Sequence, residues 1–368
     1  AAAAGDGCTG WWLRLCSLVV SLCQTSKDLM RFLCKHGGMV CEGAVGIRAW
    51  HRSCASPGGR APARAPEEAM WPALPSTGYR GMADRARLAE SPHDPEAWRE
   101  AFRAAGDGTP RPDMAAIRGL RELVWLQTEK AIRLSLEFSP LFRRAPLELE
   151  LEPRTQTVHL PSALANLEPV ECQVQVLDRD MLEVAGEYAD AGHSVAVLNM
   201  ANAHCPGGGF RSGAGAQEEN LHRRSDAVRF TDGQRHRYPI PEEACLLSRS
   251  VTVFRGPEKA GYPFLERPFR VAVVSCAAIA YPQLTPERKY ARQPTLALME
   301  AKVALIMEAS RQAGCDVAVL SAFGCGAFGN PPEVVAELFR RALERSQLQR
   351  VTFCVVDDHN ARNSHNPR

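Results

Sequence analysis

Residues 194–219 read SVAVLNMANAHCPGGGFRSGAGAQEE and contain the clearest structural pattern of the chain. The apolar run within Ser194–Asn199 predicts a buried strand, because strands covered on both faces contain few polar residues. Gly207-Gly208-Gly209 then predict a loop, since glycine tolerates positive φ and lets the backbone approach a ligand closely. Gln217-Glu218-Glu219 predicts the start of a helix. The glycine loop therefore follows the carboxyl end of a strand, where open α/β sheets bind ligands.

A second segment, SAFGCGAFGNPP at residues 321–332, has the same arrangement. It follows a predicted strand, Val317–Ser321, and precedes a predicted helix, Pro331–Ser346, with proline in its first turn. Glycine-rich backbone at a helix start binds phosphate through N–H groups without needing lysine or arginine. Neither segment has the spacing of a P-loop or of a dinucleotide-binding fingerprint. The two loops together predict a binding site for an anionic ligand of another kind.

The rest of the pattern from Asp113 onward alternates between strands and helices. Apolar residues at helical spacing predict one long helix, or two short ones, over Met114–Leu136. Further strands are predicted at Gln156–Leu160, Cys172–Leu177, Ser250–Phe254, Val271–Cys276 and Val351–Val356, and further helices at Asp178–Ala191 and Thr295–Ala313. Strands separated by such helices indicate an α/β sheet with helices on its faces.

Composition restricts the possible ligands. The 368 residues are 45% hydrophobic and 23% charged, which is typical of soluble globular proteins. There is no apolar run long enough for a transmembrane helix, so no membrane partner is expected. The net charge is +2, but residues 1–66 contain eight Lys or Arg and three Asp or Glu, which leaves the remainder at −3. This balance argues against a nucleic-acid groove in the main domain.

Cysteine spacing argues against a structural metal site. None of the thirteen cysteines forms a CxxC pair, so no zinc site is expected. We also expect no other metal and no cofactor. The acidic segment Asp357-Asp358-His359 is interpreted as a solvated strand end, and the neighbours His204-Cys205 as an incidental pair. Free thiols are typical of a reducing compartment, so we expect an intracellular protein, cytoplasmic or nuclear.

At this point the motifs resemble those of a known family. Gly207-Gly208-Gly209, seven residues and then Gln217-Glu218-Glu219 resembles the signature of microbial-type poly(ADP-ribose) glycohydrolases, which are macrodomains. The similarity extends from about residue 115 to about residue 358, and His222 stands where a cysteine is common. The resemblance implies a macrodomain-like three-layer α/β/α sandwich, with a mixed, mostly parallel central sheet and an N-terminal helical extension.

The resemblance also implies where the ligand lies. ADP-ribose would cross the carboxyl ends of the central strands, with Asn202 and Glu218 at the distal ribose and the Phe328 ring on a ribose face. Gly324 to Phe328 would surround the diphosphate. The residues expected to bind substrate are Asn202, Gly207, Gly208, Gly209, Gln217, Gly324, Cys325, Gly326, Ala327 and Phe328.

By the same resemblance, Glu219 would be the catalytic acid and Glu218 would assist it. Cleavage of a ribosyl bond passes through an oxocarbenium-like state, which requires a proton donor and stabilisation of positive charge. Neighbouring residues lie about 100° apart on a helix, so Glu218 and Glu219 cannot flank one sugar from opposite faces. One carboxyl group is therefore expected to act as the acid while the other binds a hydroxyl. The bound diphosphate would help to neutralise the cation.

The sequence leaves two alternatives open. The first is a non-catalytic ADP-ribose reader of the same fold, although a reader has no need of an acid at Glu219. The second is a scaffold whose unusual residues 1–66 matter most. For the enzyme we expect poly(ADP-ribose) or ADP-ribosylated proteins as partners, no direct nucleic-acid partner and a monomeric state.

The N-terminal region is predicted to be separate from the site. Residues 1–66 are rich in arginine and poor in acids, which is typical of a mitochondrial transit peptide; Cys16–Cys23 also resembles a signal-peptide core. A third interpretation is unfolded extra sequence before a start at Met70 or Met82. We expect residues 1–81 to form a low-order extension, 82–150 a helical N-terminal part, and 151–368 the macrodomain-like catalytic core.

Overall fold

The computed structural model describes residues 92–106, 112–137, 147–160 and 170–356. The predicted extension at residues 1–81 and the segment Asp357-Asp358-His359 lie outside the described residues. All seven strands of the described part fall between Thr155 and Cys354. None of the helices in these ranges is long and apolar enough to cross a membrane.

The structure contains seven α-helices and seven β-strands within these ranges. The helices are α1 (Pro95–Ala104), α2 (Met114–Glu137), α3 (Met181–Asp190), α4 (Gln217–Arg224), α5 (Ala227–Thr231), α6 (Gln293–Gln312) and α7 (Pro332–Leu343). The strands are β1 (Thr155–His159), β2 (Gln173–Leu177), β3 (Val195–Met200), β4 (Ala244–Arg255), β5 (Phe264–Cys276), β6 (Val317–Leu320) and β7 (Arg350–Cys354).

The strands form one sheet in the order β1-β4-β5-β3-β6-β7-β2. The five strands from β5 to β2 are parallel, whereas β4 runs antiparallel to both of its neighbours. Met200 of β3 pairs with Cys276 of β5, and β6 lies on the other side of β3. The carboxyl ends of these three central strands therefore meet at one edge of the sheet, here called the carboxyl edge.

Helices cover both faces of the sheet, as the alternation of side chains along β3 shows. Ala196 and Leu198 face a core shared with α6 and α7. Val195 and Val197 face a second core shared with α3, α4 and α5. Residues two apart in a strand point to the same face, so an apolar strand such as β3 supplies both cores. The predicted three-layer α/β/α sandwich with a mixed, mostly parallel sheet is confirmed.

The N-terminal helices form a smaller cluster that packs against the glycine loop. Trp98 of α1 stacks on Phe102, and its indole N–H donates to the carbonyl of Leu120 in α2. Further along α2, the ring of Trp125 meets that of Phe210 edge to face, with 4.4 Å between centroids. Gly213 lies so close to the backbone of Arg118 that a Cβ there would collide with it. The helical extension thus supports the loop that follows β3.

Two strands are longer than the sequence pattern predicts. The predicted strand Ser250–Phe254 is the second half of β4, and Val271–Cys276 is the end of β5. Irregular pairing between Ser248 and Val251 disturbs the register of β4, and Ser250 has a φ of 60°. This irregularity interrupts the two-residue alternation that marks a strand in a sequence.

Candidate active site

Three loops meet at the carboxyl edge: residues 201–216 after β3, 277–292 after β5 and 321–331 after β6. Helix α4 begins where the first of these loops ends. Its first three residues, Gln217, Glu218 and Glu219, therefore lie at the carboxyl edge together with both glycine segments. The structure brings together the predicted site residues in this way.

Gln217 attaches the start of α4 to strand β3. Its side-chain oxygen accepts a hydrogen bond from the N–H of Met200 at 2.9 Å, and its side-chain nitrogen donates to the carbonyl of Leu198 at 2.7 Å. The amide thus binds backbone groups of β3 that lie beyond its last pair with β6, Val197 with Val319. This fixes the position of the two glutamates that follow.

Glu218 accepts hydrogen bonds from the N–H groups of Asn202 and Gly207, which lie at the two ends of the first part of the loop after β3. The residue is only 3% exposed. Its Oε2 accepts from the N–H of Asn202 at 2.7 Å, while Oε1 accepts from the side-chain amide of Asn199 and the N–H of Gly207, each at 3.2 Å. Asn202 in turn caps the N–H groups of the two residues after Ala203. Contact of Glu218 and Asn202 with a ribose stays a prediction, and it requires an exchange of some of these bonds.

Burial also changes the protonation of Glu218. Loss of hydration raises its pKa to about 8, and the charge of Glu219 acts in the same direction, while the hydrogen bonds from Asn202, Asn199 and Gly207 oppose the shift. At neutral pH, Glu218 therefore carries a proton in much of the population. This limits the repulsion between two neighbouring carboxyl groups.

We expect this raised pKa to appear in the pH dependence of stability. The unfolded chain releases the Glu218 proton near pH 4.5, whereas the folded protein holds it up to about pH 8. The folded state thus binds more protons in this window, so its stability falls as the pH rises through it. Urea unfolding of the parent and of Glu218→Gln between pH 5 and pH 8 gives the free energy of unfolding of each protein at each pH. If this free energy changed equally with pH in both proteins, the pKa of Glu218 would not be raised in the folded state.

Glu219 has one carboxyl oxygen held and one unused. Oε1 accepts a hydrogen bond from the N–H of Gly209 at 2.9 Å. The residue is 8% exposed, and Oε2 is buried with no hydrogen-bond partner in the part of the chain that the structure describes. A buried polar atom without a partner is costly, so such atoms are explained by a ligand, a water or a catalytic role.

Gly208 covers both carboxyl groups. Its φ is +58°, and a Cβ at this position would collide with Oε1 of Glu219 and lie 3.2 Å from Oε2 of Glu218. Only glycine meets both requirements, because other residues rarely adopt this conformation and none lacks a Cβ. The glycine loop therefore lets the backbone lie directly on the acidic pair.

The three glycine N–H groups are occupied within the protein. Gly207 donates to Glu218, Gly208 to the carbonyl of Cys205, and Gly209 to Glu219. These three N–H groups are therefore not free to bind phosphate in this structure, and contact of Gly207, Gly208 and Gly209 with substrate stays a prediction. Their donors position the carboxyl groups instead. No local sequence pattern shows whether such N–H groups bind a phosphate or position carboxyl groups.

The stacked rings of Phe210 and His222 pack against the glycine loop at Gly207. A Cβ on Gly207 would lie 2.6 Å from the ring of Phe210 and 2.8 Å from that of His222. These two rings stack with 4.9 Å between centroids. Burial lowers the pKa of His222 to about 4, so the ring is neutral, and its Nδ1 lies 2.9 Å from the carbonyl oxygen of Glu218. Sequence reasoning noted His222 only as a departure from the family pattern.

Asn330 joins the second glycine segment to the loop after β5. Its buried side-chain amide donates to the carbonyls of Ile279 at 2.7 Å and Gly324 at 3.0 Å, and its oxygen accepts from the hydroxyl of Tyr290 at 2.8 Å. Sequence reasoning did not identify either Asn330 or Tyr290 as a site residue. Their partners lie between 6 and 51 positions away, a range at which a sequence shows no periodic signal.

The second segment has free backbone donors. The N–H groups of Gly326, Ala327 and Phe328 make no hydrogen bond with any described residue. Three successive free donors form the kind of concave arrangement that binds anions. Phe328 is half-buried, whereas the side chain of Cys325 is buried in the core. Within the described ranges, no group of three His, Cys, Asp or Glu side chains is placed to hold a metal ion.

The chain is similar to one protein family and to several solved structures. Residues 143–256 match the family model for the microbial-type PARG catalytic domain. The chain is similar to the poly(ADP-ribose) glycohydrolase of Thermomonospora curvata bound to the inhibitor ADP-HPD, with 28% identity and a TM-score of 0.50 over 67% of this chain and 98% of that chain. It is also similar to the enzyme of Deinococcus radiodurans in complex with ADP-ribose, with 26% identity, a TM-score of 0.44 and coverages of 52% and 82%. No curated protein matches the chain.

The fold and the buried acidic pair define a macrodomain-like α/β protein with a glycine-lined site at the carboxyl edge. Within that class, residues 143–256 match the model of the microbial-type PARG catalytic domain, the family that the motifs resemble. The family model covers the strand, glycine loop and acidic pair together.

Proposed function

We propose that this protein is a glycosidase that hydrolyses ribosyl bonds of poly(ADP-ribose) or of protein-linked ADP-ribose and releases ADP-ribose. The observation that carries the proposal is the environment of the two carboxyl oxygens of Glu219. One oxygen is fixed by Gly209, and the other is buried without a partner among the described residues, at the edge where both glycine segments lie. The similarity to a poly(ADP-ribose) glycohydrolase that holds an inhibitor supports this assignment.

The chemistry uses one carboxyl group first as a proton donor and then as a proton acceptor. Protonated Glu219 gives its proton to the oxygen that leaves the anomeric carbon, and the electron pair of the broken C–O bond stays on that oxygen. Water then attacks the anomeric carbon, and the Glu219 carboxylate takes the proton that water releases. The cycle ends with a new hydroxyl on the released ADP-ribose and with Glu219 protonated again.

The remaining groups position the substrate and the acid. Glu218 fixes Gly207 and Asn202, and thereby the loop that lies on Glu219. The free N–H groups of Gly326 to Phe328 bind the diphosphate, which is a stable anion close to the developing positive charge. The proposal therefore assigns the acid to one glycine segment and the diphosphate to the other.

The direct test is to incubate automodified poly(ADP-ribose) polymerase with the protein and to follow loss of polymer and release of ADP-ribose. Polymer loss with the parent protein, and none with buffer alone, is the expected result. An inactive parent that still binds ADP-ribose tightly would favour the non-catalytic reader instead.

Replacing Phe328 by Ala should weaken binding of ADP-ribose by roughly 1–3 kcal/mol, the range for loss of one aromatic contact to a nucleotide. The ring is half-buried in the segment that supplies the free N–H groups, so its loss removes contact area without removing those donors. Titration calorimetry measures the change. Unchanged affinity in a variant with the parent's melting temperature would remove Phe328 from the site.

A further inference from the structure

The loop after β5 is rich in basic side chains. Residues 277–292 contain the cations Arg288, Lys289 and Arg292, and Glu287 is their single acid. The loop after β3 adds one arginine, and the loop after β6 has no charged residue. The three loops at the carboxyl edge therefore carry a charge of +3, whereas residues 67–368 as a whole carry −3. The carboxyl edge is thus positive on a part of the chain that is negative overall.

Arg288 and Lys289 lie on a short hairpin, residues 283–291, here called the basic hairpin. Its two sides pair at Leu284 and Tyr290. Backbone hydrogen bonds of 2.8 Å and 2.9 Å close the turn between these two residues. The hairpin therefore holds its basic residues in a defined place.

The basic hairpin is anchored to the second glycine segment. Tyr290 is 9% exposed, and its hydroxyl donates to the side-chain oxygen of Asn330 at 2.8 Å. The amide of Asn330 in turn holds the carbonyl of Gly324. Arg288 and Lys289 directly precede Tyr290 in the chain, so they lie beside the segment whose N–H groups are free.

The cations of this loop have no protein partner. The side chains of Arg288, Lys289 and Arg292 are exposed, and they make no hydrogen bond or ion pair with Glu287 or any other described residue. In contrast, Arg340 near the end of α7 pairs with a glutamate of its own helix at 2.7 Å. Exposed basic side chains without a partner attract phosphate groups, and they release counterions when they bind them.

We infer that the basic hairpin and Arg292 bind the diphosphate of the ADP-ribose unit that adjoins the unit in the site, so that polymer is preferred to a single ADP-ribose. The inference rests on the proposed function, in which Gly326 to Phe328 take the diphosphate of the unit in the site. Each unit of poly(ADP-ribose) carries a diphosphate, so the chain presents a row of anions. The anchor at Asn330 places the cations next to the first anion of that row.

A nucleic acid is the other polyanion that such cations attract. The negative balance of residues 67–368 disfavours it, because a nucleic-acid groove needs a broad positive field. A chain whose first unit is already held in the site needs only a few cations for the next diphosphate. The observations therefore favour poly(ADP-ribose).

The test compares the parent with the double variant Arg288→Asn/Lys289→Gln. Arg288 has a φ of 56°, and asparagine tolerates this conformation better than most residues, so the turn is kept while two charges are removed. At about 50 mM NaCl, KM for poly(ADP-ribose) should rise by about 5-fold, the scale for loss of two exposed ion pairs. The difference should shrink at about 200 mM NaCl, because salt screens exposed charges. The kcat on polymer and the affinity for ADP-ribose, measured by titration calorimetry, should stay within twofold of the parent.

Arg133→Gln/Arg345→Gln is the matched control. Both residues are exposed cations whose side chains have no partner among the described residues. Arg345 lies shortly before the start of β7, and the end of α2 that carries Arg133 packs on Phe254 at the end of the antiparallel strand β4. Both positions are therefore near the edge of the sheet opposite the carboxyl edge. The control removes the same charge and should leave KM unchanged.

Several results would overturn the inference while the parent remains active. One is a KM of the Arg288→Asn/Lys289→Gln protein within twofold of the parent at low salt, and another is an equal rise of KM in the control. An equal loss of affinity for ADP-ribose would assign the cations to the unit in the site. A single-stranded oligonucleotide that competes with polymer on the parent, but not on the double variant, would assign them to nucleic acid. A parent that neither binds ADP-ribose nor degrades polymer would disprove the proposed function, and the inference with it.

Discussion

Glu219→Gln should reduce turnover of poly(ADP-ribose) by at least about 100-fold, the lower end for loss of a general acid–base residue. Glutamine has the same size and shape, and its side-chain oxygen still accepts from the N–H of Gly209. It cannot give a proton to the leaving oxygen or take one from water. The effect should therefore fall on kcat, measured as the initial rate of ADP-ribose release at saturating polymer.

Binding separates this effect from damage to the site. ADP-ribose affinity of Glu219→Gln should stay within a few-fold of the parent, because the missing proton transfer acts in the transition state. Glu218→Gln is the matched control on the neighbouring residue. It turns an acceptor of three hydrogen bonds into a group with only one oxygen, so both affinity and turnover should fall. Turnover by Glu219→Gln comparable to that of the parent would disprove the proposed role of Glu219.

The layers of the fold can be predicted from the sequence because each central strand is marked by its own run of apolar residues. Strands such as β3 and β6 are apolar at nearly every position, since helices cover both of their faces. The strand β4 is harder to delimit, because irregular pairing near Ser250 breaks its alternation. Helix α1 was not predicted individually. Its packing depends on contacts of Trp98 with α2, which a local pattern does not contain.

The candidate site likewise has one part that the sequence predicts and one part that it does not. The spacing of Gly207-Gly208-Gly209 and Gln217-Glu218-Glu219 is a local feature, and it predicts that a loop and an acidic pair meet. What the loop does there depends on bonds between distant residues. Glu218 accepts from Asn199, 19 residues earlier, and Asn330 donates to Ile279, 51 residues earlier. Such bonds fix the site but impose no period on the sequence, so only the structure shows them.

Gly208→Ala should also reduce turnover by about 100-fold, although it changes no charged or catalytic group. The added Cβ collides with Oε1 of Glu219, which is the end of a flexible side chain and not a rigid backbone atom. The carboxyl group can therefore swing away, and the fold tolerates the change. Displacement of a catalytic group by about 1 Å is enough to cost about 100-fold in rate. The rate of ADP-ribose release and the melting temperature are the two quantities to measure.

Gly314→Ala is the matched control for backbone strain. Gly314 follows α6 with a φ of +74°, and nothing lies within 4 Å of a Cβ placed on it. Alanine in a left-handed conformation costs about 1–2 kcal/mol at either position. We therefore expect both variants to lose stability to a similar extent, and only Gly208→Ala to lose turnover. If Gly208→Ala kept the parent's kcat, the position of the Glu219 carboxyl group beneath this glycine would not be required for catalysis. If it lost several kcal/mol more stability than Gly314→Ala, the carboxyl group would be held in place more rigidly than its single hydrogen bond to Gly209 implies.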